Sequence, residues 1–212
     1  MIYTDNWAFM HIPKTAGVNF KQRVPKELIK GVFHYPKDTK VRLSLWWHQP
    51  ISYQIKHNPN LSNIQWLTII RHPADRLLSF YFFIKRRLLQ FGMPDWNITF
   101  EDYIKNNGLK FFYENGLNGF NRWPQFALEG GVWKPDNSQC YWVFESNNDN
   151  VLTFRMEDQL EELEDYVGFS FTDTKHNSTI HDLWETYYTD EMREIVYERY
   201  KEDFENFGYE IR

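Results

Sequence analysis

Trp7-Ala8-Phe9-Met10-His11-Ile12-Pro13-Lys14-Thr15-Ala16-Gly17-Val18-Asn19-Phe20 is the stretch on which the fold turns. Its first six residues are a short apolar run that stops at Pro13, the signature of a buried strand. The chain then turns through Gly17, and a helix is expected from about Val18 to Ile29. The same order returns at Ile64–Ile70 (I-Q-W-L-T-I-I), rich in β-branched residues. That run ends at Arg71-His72-Pro73, and a helix follows with Pro73 in its first turn. Its apolar positions are Leu77, Leu78, Tyr81, Phe82 and Ile84. Val41–Trp47 reads as a further extended segment and Val151–Phe154 as a further strand. Thr99 is an expected N-cap, with Glu101 and Asp102 in the first turn behind it. Residues 107–138, rich in Gly, Asn and aromatics, read as short helices and loops. Met156–Val167 reads as an acidic helix closed by Gly168, and Thr189 opens a last amphipathic helix to about Phe204. Strands alternating with helices predict an α/β fold with a central parallel sheet flanked by helices. The length of 212 residues suits a single domain over 1–212.

Composition narrows the classes. Apolar residues at 42% and charged residues at 25% exclude a disordered or coiled-coil chain. The 18 Phe, 13 Tyr and 9 Trp are enough to build a core and also line a pocket with rings. Cys140 is the one cysteine, so no internal disulfide framework exists, and no Cys/His cluster has zinc spacing. A reducing, cytoplasmic setting is expected. No apolar run is long enough for a membrane span, and the first residues lack a signal-peptide h-region. The net charge of −5 divides unevenly, with +7 on residues 1–155 and −12 on residues 156–212. A basic body suits an anionic ligand. The acidic end has the composition of a solvated helical face.

Two loops follow the carboxyl ends of the two best strands, where open α/β sheets bind ligands. In the first, Gly17 permits close backbone approach and Lys14 brings a mobile ammonium, a combination suited to an anion. It is not a Walker A loop, which needs two glycines before the lysine. In the second, Arg71 ends the strand and Ser79 follows eight positions on, about two helical turns. An Arg fork with a hydroxyl suits a second phosphate. Each residue also has a plain structural reading, as a solvated turn lysine, a salt-bridge arginine and a helix-surface serine.

H-I-P-K-T-A-G after a first strand resembles the 5′-phosphosulfate loop of sulfotransferases. I-I-R-H-P-A-D-R-L-L-S-F-Y resembles their 3′-phosphate motif. Lys175-His176-Asn177-Ser178-Thr179 is similar to a late loop that closes over the nucleotide, and Asp203–Tyr209 to the family's C-terminal helix end. The resemblance spans nearly the whole chain and is closest to the carbohydrate (heparan- and chondroitin-type) sulfotransferases, here as a minimal soluble member of bacterial or viral type. It implies a P-loop-like three-layer fold and 3′-phosphoadenosine 5′-phosphosulfate as donor. The implied donor site comprises Lys14, Thr15, Ala16, Gly17, Val18, Asn19, Arg71, Ser79, Ser178 and Thr179. The acceptor is expected to be a hydroxyl on a carbohydrate or small metabolite, with no metal, nucleic acid or membrane partner. Val18 and Asn19 stand where many members carry hydroxyls. Val18 can offer only its backbone N–H, whereas Asn19 could donate through its amide.

Transfer needs two phosphates held, charge stabilised on the bridging oxygen, and a proton removed from the acceptor. Lys14 suits the second task. His48, in Trp46-Trp47-His48-Gln49-Pro50, matches the base of carbohydrate-type members, and activity is then expected to fall below pH 6. His11 is the rival base, and Glu145 a weaker one. His11 and His72 otherwise read as residues that orient the loops. Trp46, Trp47, Trp123, Trp133 and Trp142 could stack on sugar rings, and Lys85-Arg86-Arg87 could hold an anionic acceptor. Other classes consistent with two phosphate loops are a nucleotide kinase and a non-catalytic domain binding 3′-phosphoadenosine 5′-phosphate. The first would need a Walker A loop and a magnesium-holding Asp, and neither stands in this sequence.

Overall fold

The computed structural model describes residues 2–32, 48, 50–90, 98–106, 137–144, 150–173 and 182–211. Contacts divide the chain into two compact units. One comprises residues 1–71 and 139–178, the other residues 72–138 and 179–212.

The first unit holds a five-stranded sheet of order β3-β1-β2-β4-β5. The strands are β1 (Ile2–Tyr3), β2 (Trp7–Met10), β3 (Gly31–Val32), β4 (Gln65–Ile70) and β5 (Val151–Arg155). β2, β4 and β5 are parallel, with Met10 beside Thr68 and Ile70 beside Arg155. The expected parallel sheet is therefore its core. β1 and β3 add an antiparallel edge, with Ile2 paired to both Phe9 and Val32. Thr4 makes the β1–β2 turn, since its hydroxyl accepts from the Asn6 and Trp7 N–H groups at 3.1 Å. β4 is buried on both faces from Trp66 to Ile70, which is why all of these but Thr68 are apolar.

On one face, Trp7, Phe9, Leu67, Ile69 and Phe154 pack against Phe20 of α1 (Gly17–Arg23) and Leu163 of a later helix. Phe20 stacks on Phe9 with centroids 4.0 Å apart. α1 is shorter than the expected helix to Ile29. Pro25 disfavours helical geometry at the residue before it, and Val24 is extended (φ −57°, ψ 121°). α2 (Ile51–His57), not foreseen from the sequence, leads to a 3₁₀ turn whose Leu61 carbonyl accepts from Trp66 Nε1.

In the second unit, α3 (Pro73–Gln90) packs on α4 (Phe100–Lys105) and the C-terminal helices around Leu78, Tyr81, Tyr103, Val196 and Phe204. Thr99 caps α4 as expected. Its hydroxyl accepts from the Asp102 N–H, and the Asp102 carboxylate accepts from the Thr99 N–H, a complete capping box.

Back in the first unit, α5 (Gln139–Phe144) was not foreseen. α6 (Leu160–Val167) begins later than expected because Arg155 pairs with Asp158 and closes a turn first. Gly168 ends it at φ 76°, as the sequence indicates. In the second unit, Thr189 caps α7 (Asp190–Arg199), and the expected continuous helix breaks at Tyr200 before α8 (Lys201–Phe207). The segments 41–47 and 107–136 lie outside the described residues. Among the described residues, no helix is long and apolar enough to cross a membrane.

Candidate active site

The parallel register brings the carboxyl ends of β2 and β4 side by side, so the loops after them meet. Lys14 (φ 68°) and Ala16 (φ 61°) are both left-handed. Non-glycine residues rarely take this conformation, which costs on the order of 1–3 kcal/mol each and so persists only where the surroundings enforce it. Such turns aim successive N–H groups into one concavity, an anion nest. The enforcing contacts are present. The Thr15 hydroxyl, fully buried, donates to the Ile12 carbonyl at 2.9 Å. Arg71 Nη1 donates to the Lys14 carbonyl at 3.2 Å. The two loops are thus tied by the two cationic residues the sequence singles out.

Gly17 opens α1 against the ring of His11. A Cβ on Gly17 would lie 2.1 Å from His11 Cδ2 and 2.6 Å from Nε2. Glycine is required here by close approach, and His11 is buried. The His11 carbonyl accepts from His48 Nδ1 at 2.8 Å, and the two rings lie 4.3 Å apart. A carbonyl can only accept, so Nδ1 of His48 carries the hydrogen and Nε2 carries the lone pair.

The electrostatics of this cluster are one-signed. Burial pushes the half-buried His48 imidazole down to about 3, helped by the charges of Lys21 and Lys14 and opposed by its bond to the His11 carbonyl. His11 is also held well below its ordinary value, by burial first and then by His48, Lys21 and Lys14. Lys21 itself, half-buried on α1, is pushed down to about 7 by burial. Both imidazoles therefore stay neutral at physiological pH, and an anion bound beside them would relieve the crowding of positive charge.

Sequence reasoning passed over Lys21. The signal was its place four residues after Gly17, on the same face of α1. It also missed Gln139, whose side chain is bound to the Arg71 backbone. Thr15 has its hydroxyl turned inward, so its backbone N–H is what it can offer. The Asn19 amide donates to the Phe171 carbonyl at 3.2 Å, pinning α1 to the segment after α6. Trp142 is fully buried and is not a surface for a sugar ring. Ser79 is buried two turns into α3, in the second unit, as is His72, stacked on Trp184 at 4.4 Å. Lys85 lies over the Tyr81 ring, and the side chain of Arg87 is outside the described residues. Ser178, Thr179, Glu145, Trp46, Trp47, Trp123 and Trp133 also lie outside them. Among the described residues, no three His, Cys, Asp or Glu side chains group as metal ligands.

Two measurable consequences arise from this packing. Gly17→Ala is expected to cost about 1–3 kcal/mol or more, since the added methyl overpacks a buried ring. Denaturant unfolding checks it, and unchanged stability would show that His11 can move aside. Acid is expected to destabilise the fold through the imidazoles. An unfolded His takes its proton near 6.5, and folded His48 near 3, so between these values the unfolded chain holds more protons. This contribution is fully present above 6.5 and is lost as the pH falls toward 3. Unfolding measured at pH 7 and pH 5 should show the loss, with a shallower slope in His48→Ala.

The chain thus combines a mixed α/β sheet with a loop of two left-handed residues, Lys14 and Ala16, tied to Arg71 beyond the parallel strands. A sequence profile of the sulfotransferase family matches residues 2–210, so the chain belongs to that family and its reaction class is sulfuryl transfer. No curated protein and no solved structure matches the chain.

Proposed function

We propose that this chain, a P-loop-like three-layer enzyme, transfers the sulfuryl group of 3′-phosphoadenosine 5′-phosphosulfate to a hydroxyl of a carbohydrate or small metabolite. The observation that supports the reading is the Arg71–Lys14 hydrogen bond, which joins the two loops to which the phosphates are assigned. Lys14 and the N–H groups of Thr15 to Asn19 hold the 5′-phosphosulfate. By the family resemblance, Arg71 and Ser79 are assigned to the 3′-phosphate, and Ser178 and Thr179 to the late nucleotide loop. The acceptor oxygen forms its bond to sulfur while the bond from sulfur to the 5′-phosphate oxygen breaks. The acceptor proton passes to His48 Nε2, and 3′-phosphoadenosine 5′-phosphate departs with its negative charge against Lys14. The neutral, Nδ1–H form of His48 supports this role, since it is ready to receive a proton at Nε2. Positioning and electrostatics dominate such a transfer, as in phosphoryl transfer.

Calorimetry with 3′-phosphoadenosine 5′-phosphate, with and without a chelator, tests the donor. Tight binding that survives chelation is expected, and tighter binding of ATP that needs magnesium would favour a kinase. Incubation with labelled donor and an extract of the source cells tests transfer. Nucleotide binding with no labelled product from any acceptor fraction would favour a non-catalytic domain.

A further inference from the structure

The ladder between β4 and β5 ends where the Met156 N–H donates to the Ile70 carbonyl. Arg71 comes next, beyond the last strand residue. Its peptide groups still need partners, because buried backbone donors and acceptors are costly to leave unmade. One side chain supplies both. The Arg71 N–H donates to Gln139 Oε1 at 2.8 Å, and Gln139 Nε2 donates to the Arg71 carbonyl at 2.7 Å. Gln139 is fully buried at the first residue of α5. Its primary amide reproduces the donor and acceptor of a peptide group. It therefore extends the sheet by one residue where no strand remains. From that clamped backbone the Arg71 guanidinium reaches the Lys14 carbonyl.

We propose that Gln139 is the positioning residue for Arg71, clamping its backbone so that the guanidinium meets the 3′-phosphate and braces the Lys14 loop. The inference rests on the donor assigned above. The chemistry at this position is specific. Asn is one methylene too short to span both groups. Glu keeps the shape but cannot donate, and it faces the Arg71 carbonyl with an acceptor. Leu fills the volume and leaves both backbone groups without the amide.

A residue that merely held the fold together would weaken all nucleotides alike, so the informative quantity is a preference. It is the affinity for 3′-phosphoadenosine 5′-phosphate over that for adenosine 5′-phosphate, which differs only in the 3′-phosphate. Calorimetry would compare the wild type, Gln139→Leu, Gln139→Glu, Arg71→Ala and the two double variants at one ionic strength. The wild type is expected to prefer the 3′-phosphorylated nucleotide. Gln139→Leu should cut that preference by about tenfold, the scale of a misaligned charged hydrogen bond, with a smaller loss for adenosine 5′-phosphate through the Lys14 loop. In the Arg71→Ala background the same change should leave the preference unaltered, because the group being positioned is gone. Gln139→Glu conserves volume and provides the same comparison if the Leu variant does not fold. A wild type without preference would sink the donor assignment, and this inference with it. A wild type with the preference, beside Gln139 variants that keep it, lose both nucleotides equally, or add their loss to that of Arg71→Ala, would overturn the positioning role alone.

Discussion

His48→Ala is expected to lower turnover by about 10²–10⁴-fold, the range that positioned proton transfer contributes, while nucleotide affinity stays nearly unchanged. An acceptor hydroxyl is a poor nucleophile until its proton leaves, and a neutral imidazole is suited to take it. His48 meets that need through its neighbours. The His11 carbonyl holds the hydrogen on Nδ1. Burial and the nearby lysines keep the ring neutral, with its proton affinity down at about 3 in the free protein. This revises the expected acid limb. The free protein should retain neutral His48 well below pH 6, and the phosphates of a bound nucleotide should raise its value toward the working range. An NMR titration of His48 with and without 3′-phosphoadenosine 5′-phosphate checks the shift and its upward sign. Lys14→Ala, by contrast, should damage both affinity and turnover, because the proposed mechanism sets its charge against the leaving phosphate. Near-normal turnover in His48→Ala on the true acceptor would pass the role to His11 or Glu145.

Arg71→Ala is expected to weaken nucleotides bearing a 3′-phosphate by about ten- to a hundredfold or more, from the roughly 1.5–3 kcal/mol of a charge-assisted hydrogen bond. Nucleotides without that phosphate should lose less. They should still lose something, because Arg71 also donates to the Lys14 carbonyl and braces a loop with two left-handed residues. Ser79→Ala should show the same selectivity with a smaller loss. Parallel titrations with 3′-phosphoadenosine 5′-phosphate and adenosine 5′-phosphate measure the difference. Equal losses for both would make Arg71 a residue of the fold rather than of the 3′ site.

Local chemistry was legible in the sequence. The runs at Trp7–Ile12, Ile64–Ile70 and Val151–Phe154 contain β2, β4 and β5; β2 and β4 are buried almost throughout and so are mostly apolar, whereas β5 buries only Phe154 and shows through its β-branched residues. Thr99, Thr189 and Gly168 marked helix ends by interactions that span three or four residues. Lys14, Gly17 and Arg71 stood out because strand–loop–helix order alone places them beyond strand ends. The two-residue strands Ile2–Tyr3 and Gly31–Val32 are too short to show a period, and only pairing across the sheet creates them. Tertiary structure also chose the partners of the site. His48 reaches the carbonyl of His11, and Gln139 reaches the backbone of Arg71, across loops whose sequence carries no trace of the pairing. It turned the Thr15 and Asn19 side chains to the protein's own carbonyls, where a linear reading offers the Asn19 amide to a ligand. It also set the proton affinities of His11, Lys21 and His48. Desolvation and mutual charge depend on what surrounds a group in space, and in this chain those surroundings come from segments far apart in sequence.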